Sequence, residues 1–201
     1  MIKSIITKPA TAHLWQIFIL SVISIGLTSC NNEPFPLKDM GRPSAFELVD
    51  TNKQDYQYTP NSGTVRLVFF GYTFCPDYCP ATMSKLSKVI PDLKIPDEEK
   101  PEVLFISVDP ERDTPEKLSA YLKGYSINAI GLTGNPKQLE VASKEFHAFF
   151  QVEKKGKDII VEHTTFLYLV DPEGRIRYMF RNSDSADTIK HALLTLYAEH
   201  D

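Results

Sequence analysis

The chain has 201 residues, is 42% hydrophobic and 24% charged, and carries a formal net charge of −4 at pH 7. These values suit one globular domain with a real core plus a short extension, and they exclude a disordered or fibrous chain. An acidic chain without a long basic run also excludes nucleic acid as a partner, because phosphate binding needs clustered lysine and arginine.

The first segment reads as an address. Lys3 and Lys8 precede a mostly apolar run from Leu14 to Leu27, and residues 1–29 contain no acidic side chain. As a helix those fourteen residues would span about 21 Å, short of the roughly 30 Å of a bilayer core. A signal peptide over residues 1–29 therefore fits better than a spanning helix. The segment ends in Leu27-Thr28-Ser29-Cys30, which resembles a bacterial lipobox. The resemblance implies a lipoprotein anchored to the membrane through Cys30, where two or three acyl chains hold stably and one would be marginal. It also implies a globular part outside the cytoplasm. Residues 30–44, polar and rich in proline, are expected as a membrane tether, and residues 45–201 as the folded domain.

Phe46 to Asp50 alternates in strand fashion before a turn near Asn52. Thr64 to Phe70 is β-branched and aromatic between turn residues, as a buried strand should be. A helix is expected to begin between Cys75 and Pro80 and to stop before Pro91, and Val103 to Val108 forms a second buried strand. Thr114-Pro115-Glu116 is a helix start with proline in the first position. Ala129 to Leu132 is a short strand, and Asn135-Pro136 opens a helix expected to run to Phe150. Glu153 to Asp158 is charged and reads as an exposed loop or hairpin tip. Thr164 to Val170 and Arg175 to Phe180 form a hairpin through the turn Asp171-Pro172-Glu173-Gly174. An amphipathic helix capped by Asp184 ends the chain. This order predicts an α/β, thioredoxin-like fold with a central mixed sheet flanked by helices.

With Cys30 assigned to lipid, Cys75 and Cys79 are the remaining thiols. Outside the cytoplasm a close pair must be a disulfide, a metal site or a redox couple. A structural disulfide is the weakest choice, because so short a loop restrains little chain entropy. The pair follows a buried strand at a helix start, where the helix dipole and free N–H groups favour a thiolate. Positions i and i+4 share one helical face, so both sulfurs could meet a single ion. Two thiolates suit Cu(I) or Zn(II), and an added imidazole suits copper in both oxidation states.

Gly71-Tyr72-Thr73-Phe74-Cys75-Pro76-Asp77-Tyr78-Cys79-Pro80 resembles the copper motif of Sco/SenC/PrrC proteins. Ser107 to Glu116 (SVDPERDTPE) is similar to the family's strand-end segment, and Glu162-His163-Thr164-Thr165, leading to Asp171-Pro172-Glu173-Gly174, agrees as a third. The three segments match in order across roughly residues 43–197. The resemblance implies a thioredoxin-like fold and one copper held by Cys75, Cys79 and His163. It also implies a role in assembling the CuA centre of cytochrome c oxidase subunit II, as copper donor, thiol reductant or both. A monomer is expected. Asp77 and Asp109 also match family positions and are given no ligand role.

Pattern alone treats the histidines more plainly. His13 lies in the signal segment, His147 in an expected helix between aromatics, and His191 and His200 in the terminal helix. His163 is expected to begin a buried strand after a charged loop, and without the resemblance a strand-end histidine is the commoner reading. Met83 fits core packing better than thioether ligation. Tyr72, Phe74 and Tyr78 could form a partner-binding rim, while Lys154 to Lys157 reads as a solvated loop.

Three functions compete with the metallochaperone. A membrane-tethered thiol–disulfide oxidoreductase would attack with one cysteine and resolve with the other, although two intervening residues are commoner there than three. A thioredoxin-fold peroxidase needs threonine and arginine about its cysteine; Thr73 is near, but no arginine adjoins in sequence. The sequence also leaves open a copper or redox sensor feeding a signalling pathway.

Overall fold

The computed structural model describes residues 34–156 and 158–200. The segment expected as a signal peptide, with His13, and Cys30, the expected lipidation site, lie outside the described residues, as does Lys157. In chain order the elements are β1 (Phe46–Asp50), β2 (Asp55–Tyr58), β3 (Arg66–Gly71), α1 (Tyr78–Asp92), β4 (Glu102–Ser107), α2 (Pro115–Leu122), β5 (Ala129–Thr133) and α3 (Pro136–Glu145). There follow β6 (Phe150–Lys155), β7 (Asp158–His163), β8 (Leu167–Val170), β9 (Ile176–Phe180) and α4 (Ala186–Ala198).

The central strands are apolar because water reaches neither of their faces. β3 and β4 run parallel, with Leu67 opposite Val103 and Gly71 opposite Ser107, and β5 runs parallel to β4. Antiparallel strands widen this core on both sides, giving the order β2-β1-β5-β4-β3-β8-β9. Alternation then sorts the side chains between faces. Leu67, Phe69, Val103 and Phe105 meet Met83, Leu86, Leu118, Leu193 and Leu196 of α1, α2 and α4. Val68, Phe70, Leu104 and Ile106 pack with Phe46, Leu48, Leu139 and Phe146. The expected mixed sheet flanked by helices is the observed architecture.

Among the described residues one basic side chain is buried in this core, and it is paired. Arg66 opens β3 at 6% exposure, lies 2.9 Å from Glu102, donates to the Thr59 carbonyl at 2.6 Å and covers the Tyr58 ring. A buried guanidinium persists only with such pairing.

Several boundaries differ from the sequence reading. β2, polar in sequence (Asp-Tyr-Gln-Tyr), carries no strand pattern of its own; it completes a hairpin with β1, where Phe46 and Leu48 face Tyr58 and Tyr56. α1 continues through Pro91, since a proline in the last turn forfeits only one backbone bond. Ser185, not Asp184, caps α4, accepting from the Thr188 amide; Asp184 instead accepts from the Arg181 amide. The largest change follows α3, which ends at Glu145 rather than Phe150. His147 takes φ 51, its amide reaches the Lys144 carbonyl, and the Ala148 amide reaches the Ser143 carbonyl. This is a Schellman stop, with histidine where glycine is usual. The chain then enters β6, which pairs with β7 as a separate two-stranded sheet. His163 therefore closes β7 instead of beginning the next strand.

The stretch expected as a tether contacts the domain from Phe35 onward. The Lys38 and Met40 amides donate to the Arg177 and Ile176 carbonyls, and Ile176 donates back to Gly41. The segment so covers the outer edge of β9, which would otherwise expose unpaired backbone groups. Phe35 meets Tyr178, Phe180 and His191 edge to face or tilted, and its amide donates to the Thr195 hydroxyl. No helix among the described residues is long and apolar enough to cross a membrane.

His147 is exposed and has φ 51, so His147→Gly should relieve left-handed strain at a small cost in unfolded-chain entropy. The expected gain is about 0.5–1 kcal/mol, read as a higher urea midpoint at unchanged m-value. A lowered midpoint would show that the imidazole itself stabilises the turn.

Candidate metal centre

The site grows from the end of β3. There the chain leaves a strand buried on both faces, turns over Tyr72 to Cys75 with the Cys75 amide donating to the Tyr72 carbonyl at 3.2 Å, and enters α1 at Tyr78. Pro80 falls in the first helical turn, where its missing N–H would have had no helical partner. Cys79 is thereby carried under the sheet and is wholly buried, in the cluster that holds Phe69, Met83 and Phe105. Cys75 precedes the helix and is 8% exposed. The expected meeting of the two sulfurs across one helical face is corrected: a turn, not helical periodicity, brings them together.

Gly71 makes room for one of those sulfurs. A Cβ at this position would stand 2.9 Å from the Cys79 Sγ, 2.8 Å from the Phe69 ring and 3.0 Å from the Phe105 ring. Real carbon atoms do not approach so closely, so a side chain here would displace sulfur or ring.

His163 arrives from the other side, on the last residue of β7. Its ring meets the edges of Phe69 and Tyr72, with centroids 6.4 and 5.5 Å away. Nδ1 lies 2.9 Å from the Thr164 carbonyl. A carbonyl only accepts, so Nδ1 carries a proton and the other ring nitrogen keeps its lone pair. Burial lowers the His163 pKa from its ordinary value, partly offset by backbone hydrogen bonds to Thr164 and Phe70. The imidazole is thus held neutral, the form that binds metals.

The fold brings these three residues together: one ligand atom from each of Cys75, Cys79 and His163 lies within 4.8 Å of the others. Both thiols are free. Two sulfurs and one nitrogen, largely screened from water, form a donor set for a soft ion in low coordination. Burial pushes the Cys79 thiol up, partly offset by a backbone hydrogen bond with Tyr72. This reverses the expectation of a thiolate stabilised by the helix start. Desolvation outweighs the dipole at a wholly buried sulfur, so an arriving cation must displace the proton.

Met83 is fully buried in the core as expected. Phe74 and Tyr78 are 54% and 45% exposed, whereas Tyr72 turns inward against the core. Lys154 pairs with Glu111 at 2.7 Å. His200, Glu173 and Asp171 also cluster, but Arg175 and Arg177 already neutralise Asp171 at 2.6 and 3.4 Å, leaving an ion-pair network with little attraction for a cation.

Sequence reasoning missed three contributors. Gly71 was quoted only as part of a motif. Arg112, absent from the cysteine segment, reaches it through space, its guanidinium 5.7 Å from the Tyr72 centroid and 5.0 Å from that of Phe74. Asp113 bonds Thr73 directly. The only signal for the last two was the second family-like segment, Ser107 to Glu116.

Comparison with known proteins places this geometry in context. The family described as SCO1/SenC matches residues 38–198. Protein sco1 of Schizosaccharomyces pombe is 31% identical over 175 residues, covering 80% of this chain and 64% of that protein. An SCO2-like protein of Rickettsia prowazekii is 34% identical over 149 residues, covering 72% of this chain and 71% of its own. The chain therefore spans less than two thirds of the S. pombe relative's length. Among solved structures, Arabidopsis thaliana ScoI with copper bound superposes with a TM-score of 0.72 at 26% identity, over 79% of this chain and 99% of that one.

Gly71→Ala should overpack the sulfur pocket, costing about 1–3 kcal/mol, and push Cys79 toward solvent. Urea unfolding and the alkylation rate of Cys79 check both effects. Unchanged stability with Cys79 still inert would mean that the pocket accepts the added methyl.

Proposed function

The chain belongs to the SCO1/SenC family, and from that membership we propose that it is a copper metallochaperone holding one copper ion through Cys75, Cys79 and His163. The observation that carries this reading is the convergence of two sulfurs and one imidazole nitrogen within 4.8 Å on a buried platform. Similarity to a copper-bound structure supports it. Cu(I) binds as the two thiols give up their protons, leaving two thiolates and a neutral imidazole around the ion. The exposed Phe74 and Tyr78 beside the cysteines offer an apolar rim against which an acceptor can exclude water while its own soft ligands replace these one at a time. The acceptor we infer is the CuA domain of cytochrome c oxidase subunit II. A lipid anchor at Cys30 would hold the domain, as a monomer, at the outer face of a membrane.

A second reading uses the same atoms. Cys75, the more accessible sulfur, attacks a disulfide of an exported protein; Cys79 attacks the resulting mixed disulfide and releases the reduced partner while a Cys75–Cys79 disulfide forms. An external thiol reductant returns the pair to dithiol. The half-buried imidazole beside the sulfurs favours the copper reading, since thiol exchange has no need of a neutral nitrogen ligand.

Copper titration of the reduced protein separates the two. One equivalent should bind, and Cu(II) should give thiolate-to-copper charge-transfer bands. His163→Ala should keep Cu(I) but lower Cu(II) affinity by at least about a hundredfold, and Cys75→Ser or Cys79→Ser should lose both. Wild-type affinity in a cysteine variant would sink the site. Failure to bind copper, with facile dithiol–disulfide cycling, would establish the oxidoreductase. Separately, Cys30→Ala should abolish incorporation of labelled acyl chains; continued labelling would place the anchor elsewhere.

A further inference from the structure

Cys79 is fixed by helix and core, but Cys75 sits on a turn, and something must set its distance from its partner. The turn's second residue, Thr73, is gripped by a carboxylate from another part of the chain. Asp113 is wholly buried and accepts from the Thr73 amide at 2.9 Å, the Thr73 hydroxyl at 2.5 Å and the Ser107 hydroxyl at 2.7 Å. No cation pairs with it among the described residues. A buried charge without an ion partner is held by dipoles alone, and every one it uses lies on the cysteine turn or on the adjoining strand end.

Both ends of this clamp are anchored. Ser107 pairs with Gly71 across β3 and β4, and the Val108 amide donates to the Gly71 carbonyl at 2.9 Å. The amides of Arg112 and Asp113 both return to the Asp109 carbonyl, making a tight turn immediately before the Thr114 cap of α2. From that turn Arg112, paired with Asp109, lies over the rings of Tyr72 and Phe74, on either side of Thr73. The 109–113 loop thus holds three consecutive residues that lead directly into Cys75.

We propose that Asp113 is the positioning residue of this centre: by fixing Thr73 it sets the Cys75 sulfur at ligand spacing from Cys79 and resists its collapse into a disulfide. The inference rests on Cys75 and Cys79 being the working pair. Asp113 touches neither sulfur nor metal; it acts through the turn.

Asp113→Asn in the full-length chain tests this. The amide keeps one accepting oxygen, so its NH2 strands at least one of the three donors. Loss of one charge-assisted hydrogen bond should lower copper affinity about tenfold and, in the metal-free protein, shift the Cys75–Cys79 dithiol toward disulfide about tenfold against glutathione buffers. The Cu(II) charge-transfer bands should move as well. Thr73→Val, which removes the hydroxyl and leaves the amide, should move all three readouts the same way by less, and it decides the question if Asp113→Asn fails to fold. Variants that fold but keep the bands, the copper affinity and the disulfide equilibrium within about twofold of wild type would make Asp113 a structural residue only, whatever their melting temperatures. If the wild-type chain takes up no copper, the copper reading fails, and the disulfide equilibrium alone judges Asp113.

Discussion

The centre depends on a sulfur being pressed into the end of a fully buried strand. Cys79 reaches that place because β3 ends in a residue without a Cβ, and because Phe69 and Phe105 close over the space that remains. The consequences are electrostatic as well as steric. A sulfur removed from water resists ionisation, so burial raises the Cys79 pKa despite its position at a helix start. A soft cation changes that balance, since it supplies the charge that solvent cannot. Burial thus shields Cys79 from solutes while leaving it competent toward a soft cation.

The same constraint orders the surroundings. Because Cys79 is immobile, all adjustment of the pair falls on the turn before it, and that turn is gripped by Asp113 and Arg112 from the end of β4. The imidazole is governed by a parallel logic. Partial burial favours the neutral form of His163, while the carbonyl at Nδ1, which works against that lowering, fixes the proton on that nitrogen, so the third donor is ready without losing a proton. The ligands accordingly differ in what binding demands of them: the thiols must be deprotonated and the imidazole need only be in place.

Much of the fold was legible because burial writes itself into sequence. β3 and β4 are apolar throughout their centres, Leu67 to Phe70 and Val103 to Ile106, as strands covered on both faces must be, and the caps at Thr114 and Asn135 carry their own polar signatures. Of the β6–β7 ribbon only the tip, within Glu153 to Asp158, was legible, and its strands were not, for the opposite reasons. Its strands mix charges with apolar residues, and the stop before it is made by His147 in a conformation that usually announces itself through glycine. The helix was therefore extended into Phe150, and His163 was set at the start of a strand it does not begin. Of the site, the cysteine pair declared itself by spacing. The histidine could be singled out only by resemblance, and Asp113 not at all, because its meaning lies in a contact forty residues away in sequence.

On the copper reading, the division of the ligands between two platforms also determines how the site can open. The sulfurs come from the turn and the helix that directly follow β3 of the main sheet, whereas the nitrogen comes from a two-stranded ribbon that, among the described residues, shares no backbone ladder with that sheet. An isolated ribbon is marginally stable and holds its place by side-chain packing, here through Phe150 and Val161 against the core. Releasing His163 therefore disturbs a few side-chain contacts, while releasing Cys79 would require the core to part around Phe69 and Phe105. Opening should begin at the imidazole. That order leaves the ion on two thiolates, a coordination that Cu(I) tolerates and Cu(II) does not, so the architecture favours handing on the reduced ion.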